Sequence, residues 1–260
     1  MEQPIKQDPL QQALQGRESE EVLSLVSHKL KTPLSIINGY SEAILSQAGK
    51  ENFSPFTAKA LEEIHKQGTK LCYLVDKLLF FNKVNHLQTK DLSQKVINLK
   101  ELLKACSNEA ISQDEESISG SITDATSVTK RGTFIEIDCP AELELKADEE
   151  LMFFLIEELL VNAIKFSNKA EKTIKIQCAH HGDSVSISVR DYGIGIRAQD
   201  VNKIFDRFYQ VDDYFTGQIE GWGLGLTIVQ KIVALHHGSI SVISDRGLGS
   251  IFTLNFPIGN

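Results

Sequence analysis

From Glu18 onward, apolar residues return at intervals of three and four: Val22, Val26, Leu30, Leu34 and Ile37, with Leu23, Ile36 and Ile44 widening the stripe. That spacing predicts an amphipathic helix running to about Gln47, roughly 45 Å long. Gly49 and the Asn52–Pro55 stretch end it. A second long helix follows, with Leu61, Ile64, Leu71, Leu74, Val75, Leu78 and Leu79 on its apolar face. Lys59, Glu62, Glu63, Lys66, Lys70 and Asp76 form its charged face. Two antiparallel helices share a single seam, yet both stripes are wide. A hairpin alone would leave apolar surface in water, and a twofold homodimer closing a four-helix bundle removes it.

After Asn85 the period changes. Val96–Leu99 reads as a short strand and Leu99–Ser112 as a helix, while the polar, Ser/Thr-rich stretch 113–131 reads as a long loop. Strands are predicted at Thr133–Asp138 and Glu142–Lys146, then a helix from about Asp148 to Phe166. Two alternating strands, Thr173–Cys178 and Ser184–Arg190, flank a turn at His180–Asp183. A Gly-rich region over 191–225 leads into a helix from Gly223 to Leu235, and strands at Ser239–Ser244 and Ser250–Phe256 close the pattern. The expected fold is an all-α hairpin followed by an α+β sandwich, its mixed or antiparallel sheet covered by helices on one side. The corresponding divisions are a lead-in over 1–17, a helical domain over 18–88 and an α+β domain over 89–260.

Composition narrows the function. At 42% hydrophobic and 24% charged residues the chain can bury a core. No apolar run approaches the roughly 20 residues that span a bilayer. Met1–Glu20 is polar and Gln-rich, without the basic-then-apolar layout of a signal peptide, and a cytoplasmic location is expected. A net charge of −8 argues against a general nucleic-acid binder. It leaves phosphate binding open, because glycine-rich backbone and helix N-termini bind anions without net positive charge. Cys72, Cys106, Cys139 and Cys178 are scattered, with no zinc spacing, and read as reduced, partly buried thiols.

Three glycine clusters carry candidate chemistry: Asp191-Tyr192-Gly193-Ile194-Gly195, Gly221-Trp222-Gly223-Leu224-Gly225-Leu226 and Gly247-Leu248-Gly249-Ser250. Alternate glycines let the backbone turn sharply and bring N–H groups close to an anion. The second cluster runs into a helix, whose N-terminus adds partial positive charge. None opens a β-α-β dinucleotide unit, and there is no G-x-x-x-x-G-K-[ST]. In the preceding helix, Glu158, Asn162 and Lys165 share one face at i, i+4 and i+7. The trio is either a solvated polar face or a holder for a metal–triphosphate unit, with oxygens for Mg2+ and an ammonium for phosphate.

These elements follow one another over about 95 residues, with Ile204-Phe205-Asp206-Arg207-Phe208 between the first two glycine clusters. The series resembles the ATP-binding domain of two-component sensor histidine kinases, part of the gyrase-like ATPase superfamily. Upstream, Ser27-His28-Lys29-Leu30-Lys31-Thr32-Pro33-Leu34 resembles the family's phosphoacceptor box. The similarity extends over roughly residues 18–257, and the combination is far more specific than any single box.

The resemblance implies an ATP-dependent protein-histidine kinase, a homodimer acting with the receiver domain of a response regulator. His28 would accept phosphate; read from the residues themselves, Pro33 lacks the N–H that would bond the Lys29 carbonyl and should kink the helix one turn later, and His65, His86, His180, His181, His236 and His237 are expected to be ordinary surface residues. Asp191 would accept from the adenine amino group, and Gly193 and Gly195 would shape the pocket floor. Asn162 would ligate Mg2+ with Glu158 as a second ligand, and Lys165 would contact phosphate. Gly221, Gly223, Gly225 and Leu226 would frame a lid over residues 210–220, with Arg207 reaching the terminal phosphate. The regulator would dock on residues 35–45 and the second helix, and residues 80–94 would serve as a hinge.

Three residues depart from the family pattern. Lys29 stands where an acidic residue usually follows the histidine and takes the imidazole proton; an ammonium cannot accept one. Thr32 keeps the hydroxyl associated with phosphatase activity, so a slow kinase step with a preserved phosphatase direction is expected. Glu158 replaces the common Asn, either as a catalytic residue that activates water for ATP hydrolysis, as in other branches of the superfamily, or as a second Mg2+ ligand, and Trp222 replaces a small residue. A phosphatase-biased dimer and a non-catalytic scaffold are the alternatives.

Overall fold

The computed structural model describes residues 30–31, 34–44, 54–112, 122–124, 127–130, 132–167, 172–211 and 223–258. The chain divides into two compact units between Lys83 and Val84. Among the described residues, no helix is long and apolar enough to cross a membrane.

In the first unit, residues 30–31 and 34–44 are helical (α1) and Pro55–His86 forms α2. The rest of the predicted first helix, with His28, Lys29, Thr32 and Pro33, lies outside the described residues. Ser54 caps α2 by accepting the Thr57 N–H at 3.1 Å, and Pro55, which needs no helical partner for its nitrogen, follows it. Leu34 and Val75 are buried. Beside them lies a polar layer, where the Ser41 hydroxyl sits 3.2 Å from His65 Nδ1 and the Asn38 amide points Nδ2 at Cys72 Sγ. Gly68 permits this closeness, since a Cβ there would lie 2.0 Å from Asn38 Oδ1. Lys31 pairs with Asp76. Much of the predicted stripe stays exposed: Ile36, Ile37, Ile64 and Leu71 reach solvent, and Tyr40 is 70% exposed.

The second unit is built on a seven-stranded sheet ordered β2-β3-β4-β6-β7-β9-β8. Its strands are β2 (Ile122–Asp124), β3 (Ser127–Lys130), β4 (Thr133–Asp138), β6 (Lys172–His181), β7 (Ser184–Asp191), β8 (Ser239–Asp245) and β9 (Gly249–Pro257). A separate antiparallel pair joins β1 (Gln94–Asn98) to β5 (Glu144–Asp148). All ladders of the large sheet are antiparallel except β4–β6, which is parallel. A parallel pair needs a long crossover, and here it contains β5 and the helix α4 (Glu149–Phe166). Helices α3 (Leu99–Ser112) and α5 (Gly225–Leu235) complete the layer.

Local chemistry explains α4. Asp148 caps it, its Oδ1 accepting the Leu151 N–H at 3.2 Å, and Glu149 and Glu150 favour the positive N-terminal end of the dipole. Leu151, Met152, Leu155, Ile156, Leu159, Leu160, Ala163 and Ile164 are buried. The opposing sheet offers alternate inward residues, Ile135 and Ile137 from β4, Ile174 and Ile176 from β6, and Val185, Ile187 and Val189 from β7. Period 3.6 meets period 2 along one apolar seam.

Two expectations need correction. The stretch 113–131 is not wholly a loop: β2 and β3 lie within it and extend the sheet beyond β4, with Val128 opposite Ile135. At the sheet's margin, backbone pairing can hold a strand without the apolar alternation that marks central strands. His236 is not a surface residue but is buried. Its Nε2 accepts the Asp148 N–H at 3.1 Å and its Nδ1 lies 2.9 Å from the Ile232 carbonyl. A proton on Nδ1 satisfies both contacts with a neutral ring that joins α5 to the start of α4. Burial pushes its pKa below the ordinary value, the Ile232 contact opposing. The stability that follows is complete above the unfolded-state pKa of about 6.5 and is lost as pH falls from there through the lower folded value. The thermal midpoint of the protein is therefore expected to hold steady above neutrality and drop on acidification below about pH 6.5. His236→Gln should flatten that drop, measured by circular dichroism at several pH values.

Candidate nucleotide site

Asp191 ends β7 as a buried carboxylate. Its Oδ1 accepts the Gly193 N–H at 2.8 Å. Burial raises its pKa above the ordinary carboxylate value, and donors from Gly193 and Ser250 oppose the shift. The chain then runs past the C-terminal end of α4, where the Ile194 N–H donates to the Phe166 carbonyl at 3.2 Å.

The first and third glycine clusters interlock around this point. Gly195 adopts φ +65°, and a Cβ there would lie 1.9 Å from the Asp245 carbonyl oxygen. Gly249, at φ +89°, would place a Cβ 2.2 Å from the Asp191 carbonyl oxygen. The Gly247 N–H donates to the Ile194 carbonyl at 2.7 Å, and the Ile196 N–H to the Ser244 hydroxyl at 2.8 Å. That hydroxyl donates in turn to the Gly249 carbonyl at 2.9 Å. Backbone thus approaches backbone where side chains would not fit, with Asp191 in the middle.

On α4, Glu158 is buried, whereas Asn162 and Lys165 are half-buried. The Lys165 ammonium lies 5.1 Å from the centre of the Phe166 ring, so the cation stands beside the residue whose carbonyl meets Ile194. The predicted trio therefore differs internally. Its amide and cation reach the surface, while its acid is withdrawn from solvent.

The second cluster joins a different segment. Gly223 has φ +65°, and its carbonyl accepts the Phe208 N–H at 2.9 Å. The predicted helix start moves from Gly223 to Gly225, because a left-handed residue cannot belong to the helix. The Thr227 hydroxyl holds the Phe205 carbonyl at 2.9 Å, tying the 205–209 segment to the first turn of α5. No side chain caps that turn, in which Leu226 lies, so its N–H groups suit an anion. Arg207 is exposed on the tied segment. Gly221, Trp222 and most of the predicted lid lie outside the described residues.

One cluster escaped sequence reasoning. Buried Asp200 accepts the Tyr209 hydroxyl at 2.7 Å and Arg197 Nε at 2.6 Å. The Tyr209 and Arg197 bonds hold its carboxyl below the usual range. It braces the segment between the first two glycine clusters, and neither its spacing nor its residue types announce that. Ser244 was equally silent, being one serine among several in β8.

Comparison with known proteins bears on both halves of the chain. Residues 18–87 match the His Kinase A (phospho-acceptor) domain, and residues 147–260 match the histidine kinase-, DNA gyrase B-, and HSP90-like ATPase family. The chain is 29% identical over 256 residues to sensor protein kinase WalK of Staphylococcus saprophyticus, covering 97% of this chain and 39% of that protein. It is 31% identical over 235 residues to sensor-like histidine kinase SenX3 of Mycolicibacterium smegmatis, covering 89% and 56%. The chain thus spans only part of the length of these curated relatives. The structure of full-length ShkA in complex with AMPPNP shares the fold at a TM-score of 0.69 and 22% identity, covering 92% of this chain and 46% of that one. With a phosphoacceptor domain followed by an ATPase domain of the histidine kinase type, the chain belongs to the two-component sensor histidine kinases and carries their catalytic core.

Proposed function

We propose that this chain is an ATP-dependent protein-histidine kinase that phosphorylates His28 and passes the phosphoryl group to an aspartate of a response-regulator receiver domain. The observation that carries the reading is the presence, in one chain, of a phosphoacceptor domain containing His28 and an ATPase domain whose glycines close around Asp191. The phosphoacceptor domain is taken as 18–88 and the ATP-binding domain as 89–260, with residues 80–94 as the hinge.

Asp191 serves as acceptor for the adenine amino group. Burial penalises its charge, and a donor from the base would offset that penalty. Gly193 and Gly195 form the floor. Gly221, Gly223, Gly225 and Leu226 frame the triphosphate at the start of α5, with Lys165 and Arg207 as its cations. Phosphoryl transfer depends mainly on alignment and charge neutralisation. In the transfer, an imidazole nitrogen of His28 forms a P–N bond as the bond to the ADP oxygen breaks, and the imidazole proton leaves.

The donor set fits Mg2+. Asn162 offers a half-buried amide that reaches the surface, and the buried Glu158 carboxylate lies one helical turn away. Mg2+ is commonly held by one or two protein oxygens together with water and phosphate. When bound, it would neutralise charge on the phosphates. The exposed stripe of Ile36, Ile37, Tyr40, Ile64 and Leu71 supports a homodimer, and residues 35–45 with α2 would dock the receiver domain.

Incubation with γ-labelled ATP and Mg2+ is expected to give an acid-labile, base-stable label; confirmed ATP binding without label would instead favour a phosphatase or scaffold. Lys29 sets the rate in this reading and Thr32 preserves dephosphorylation. Lys29→Glu, which supplies a proton acceptor, should speed labelling about 10-fold or more. An unchanged or lower rate would remove that role. Asp191→Asn should weaken ATP binding about 10- to 100-fold, the worth of a hydrogen bond to a charged group, measured by titration calorimetry.

A further inference from the structure

The segment between the first two glycine clusters is built around a buried carboxylate that the proposed nucleotide contacts do not use. Asp200 is 2% exposed. Its Oδ1 accepts the Tyr209 hydroxyl at 2.7 Å, and its Oδ2 accepts Arg197 Nε at 2.6 Å. Its carbonyl accepts the Lys203 and Ile204 N–H groups at 2.8 and 3.1 Å. One residue thus closes 197–209 into a loop. Burying a carboxylate costs free energy that an apolar residue at the same place would not incur.

Both ends of this loop are fastened to the site. Directly after Gly195, the Ile196 N–H donates to the Ser244 hydroxyl, which ties the start to the glycine interlock around Asp191. At the far end the Thr227 hydroxyl donates to the Phe205 carbonyl, and the Phe208 N–H donates to the Gly223 carbonyl. The body of α5 is fixed by its buried face of Ile228, Val229, Ile232 and Val233. Its uncapped first turn, however, is entered through Gly223, whose place these bonds set.

Phe208 shows that the placement is held against a cost. Its φ is +61°, a left-handed conformation unfavourable for a bulky residue. Its ring is 63% exposed, so burial of the ring does not offset that cost. Such backbone persists where the surrounding contacts over-determine it. Here they are the Gly223 carbonyl on the Phe208 N–H and the Asp200 carboxylate on the next side chain, Tyr209.

We propose that Asp200, acting through Tyr209, is a positioning residue that holds the phosphate-facing backbone at Gly223 in register with Asp191, so that a single ATP engages both ends of the site at once. The inference rests on the nucleotide reading given above. A ligand with two linked parts gains from the linkage only when its two subsites are held at the matching span. Adenosine, which lacks the triphosphate, has no such requirement.

The test follows from that difference. The full chain is titrated with ATP by calorimetry and with adenosine by nuclear magnetic resonance. Tyr209→Phe removes one hydroxyl and keeps the ring, so the fold is retained, as circular dichroism will show. ATP affinity is expected to fall about 10-fold, the worth of a hydrogen bond to a charged group, while adenosine affinity stays at the unmutated value. Asp200→Ala should weaken ATP binding in the same direction, and adding Tyr209→Phe to it should cause little further loss, because the two side chains act as one unit. ATP affinity unchanged by Tyr209→Phe would overturn the proposal alone. Equal losses for ATP and adenosine would overturn it too, by showing that the bond supports the unit in general. An unmutated chain that binds no ATP would overturn the nucleotide reading and this proposal with it.

Discussion

With His28 replaced by glutamine, phosphate incorporation from γ-labelled ATP is expected to fall to background while ATP binding stays at the unmutated level. Glutamine approximates the reach and polarity of histidine, but its amide nitrogen has no lone pair available for attack on phosphorus. The nucleotide groups proposed here belong to the unit beginning at Val84, whereas position 28 belongs to the other, so binding has no reason to change. Labelling and calorimetry on the same preparation separate the two effects. Acid-labile label persisting in the variant would show that another residue accepts the phosphoryl group. Simultaneous loss of binding would show that the substitution acts through folding. The comparison also frames the question posed by Lys29. If the unmutated chain labels at a measurable rate that vanishes with His28, the adjacent ammonium is compatible with transfer, and the proton leaves by another route.

Gly195→Ala is expected to destabilise the ATPase unit by on the order of 3 kcal/mol and to abolish ATP binding. Alanine would pay about 1–2 kcal/mol for its left-handed conformation alone. The rest arises from overlap with the Asp245 carbonyl oxygen and carbon, 1.9 and 2.7 Å from the added Cβ, and these are backbone atoms that cannot rotate away. Relief would require parting the 191–195 segment from the β8–β9 turn, where Gly247 bonds Ile194, and so disturbing Asp191. Gly182→Ala supplies the control. Its φ is +56°, yet nothing lies within 4 Å of a Cβ there, so it should show only the conformational cost of about 1 kcal/mol. Denaturant midpoints for the two variants would isolate the contribution of close backbone approach. Equal midpoints would mean that the interlock contributes little.

Elements with a strong period were legible nearly to the residue. Thr133–Asp138 and Leu99–Ser112 match their predicted limits, and α4 begins one residue after the predicted start because Asp148 serves as its cap. In each case the signal is local: alternation for a half-buried strand, recurrence at three and four for a helix, a carboxylate where N–H groups need a partner. The strands within 113–131 gave no such signal, since a marginal strand can be held by backbone pairing. His236 lay in the pattern as one of two adjacent histidines, and only the fold distinguishes them: His236 faces Asp148 while His237 stays exposed.

The order of the boxes determined the family, because the box around His28, the acid–amide–cation helix and the three glycine clusters are all local motifs written along one chain. Tertiary structure decided everything that depends on distant segments becoming neighbours. It set β4 parallel to β6 and placed β9 between β7 and β8. It brought Gly195 against Asp245 and Gly249 against Asp191, and buried Glu158 while leaving Lys165 accessible. The physical reason is that periodicity and capping act within a few residues of the chain, whereas strand order and backbone close approach are selected by burial of the whole apolar surface at once.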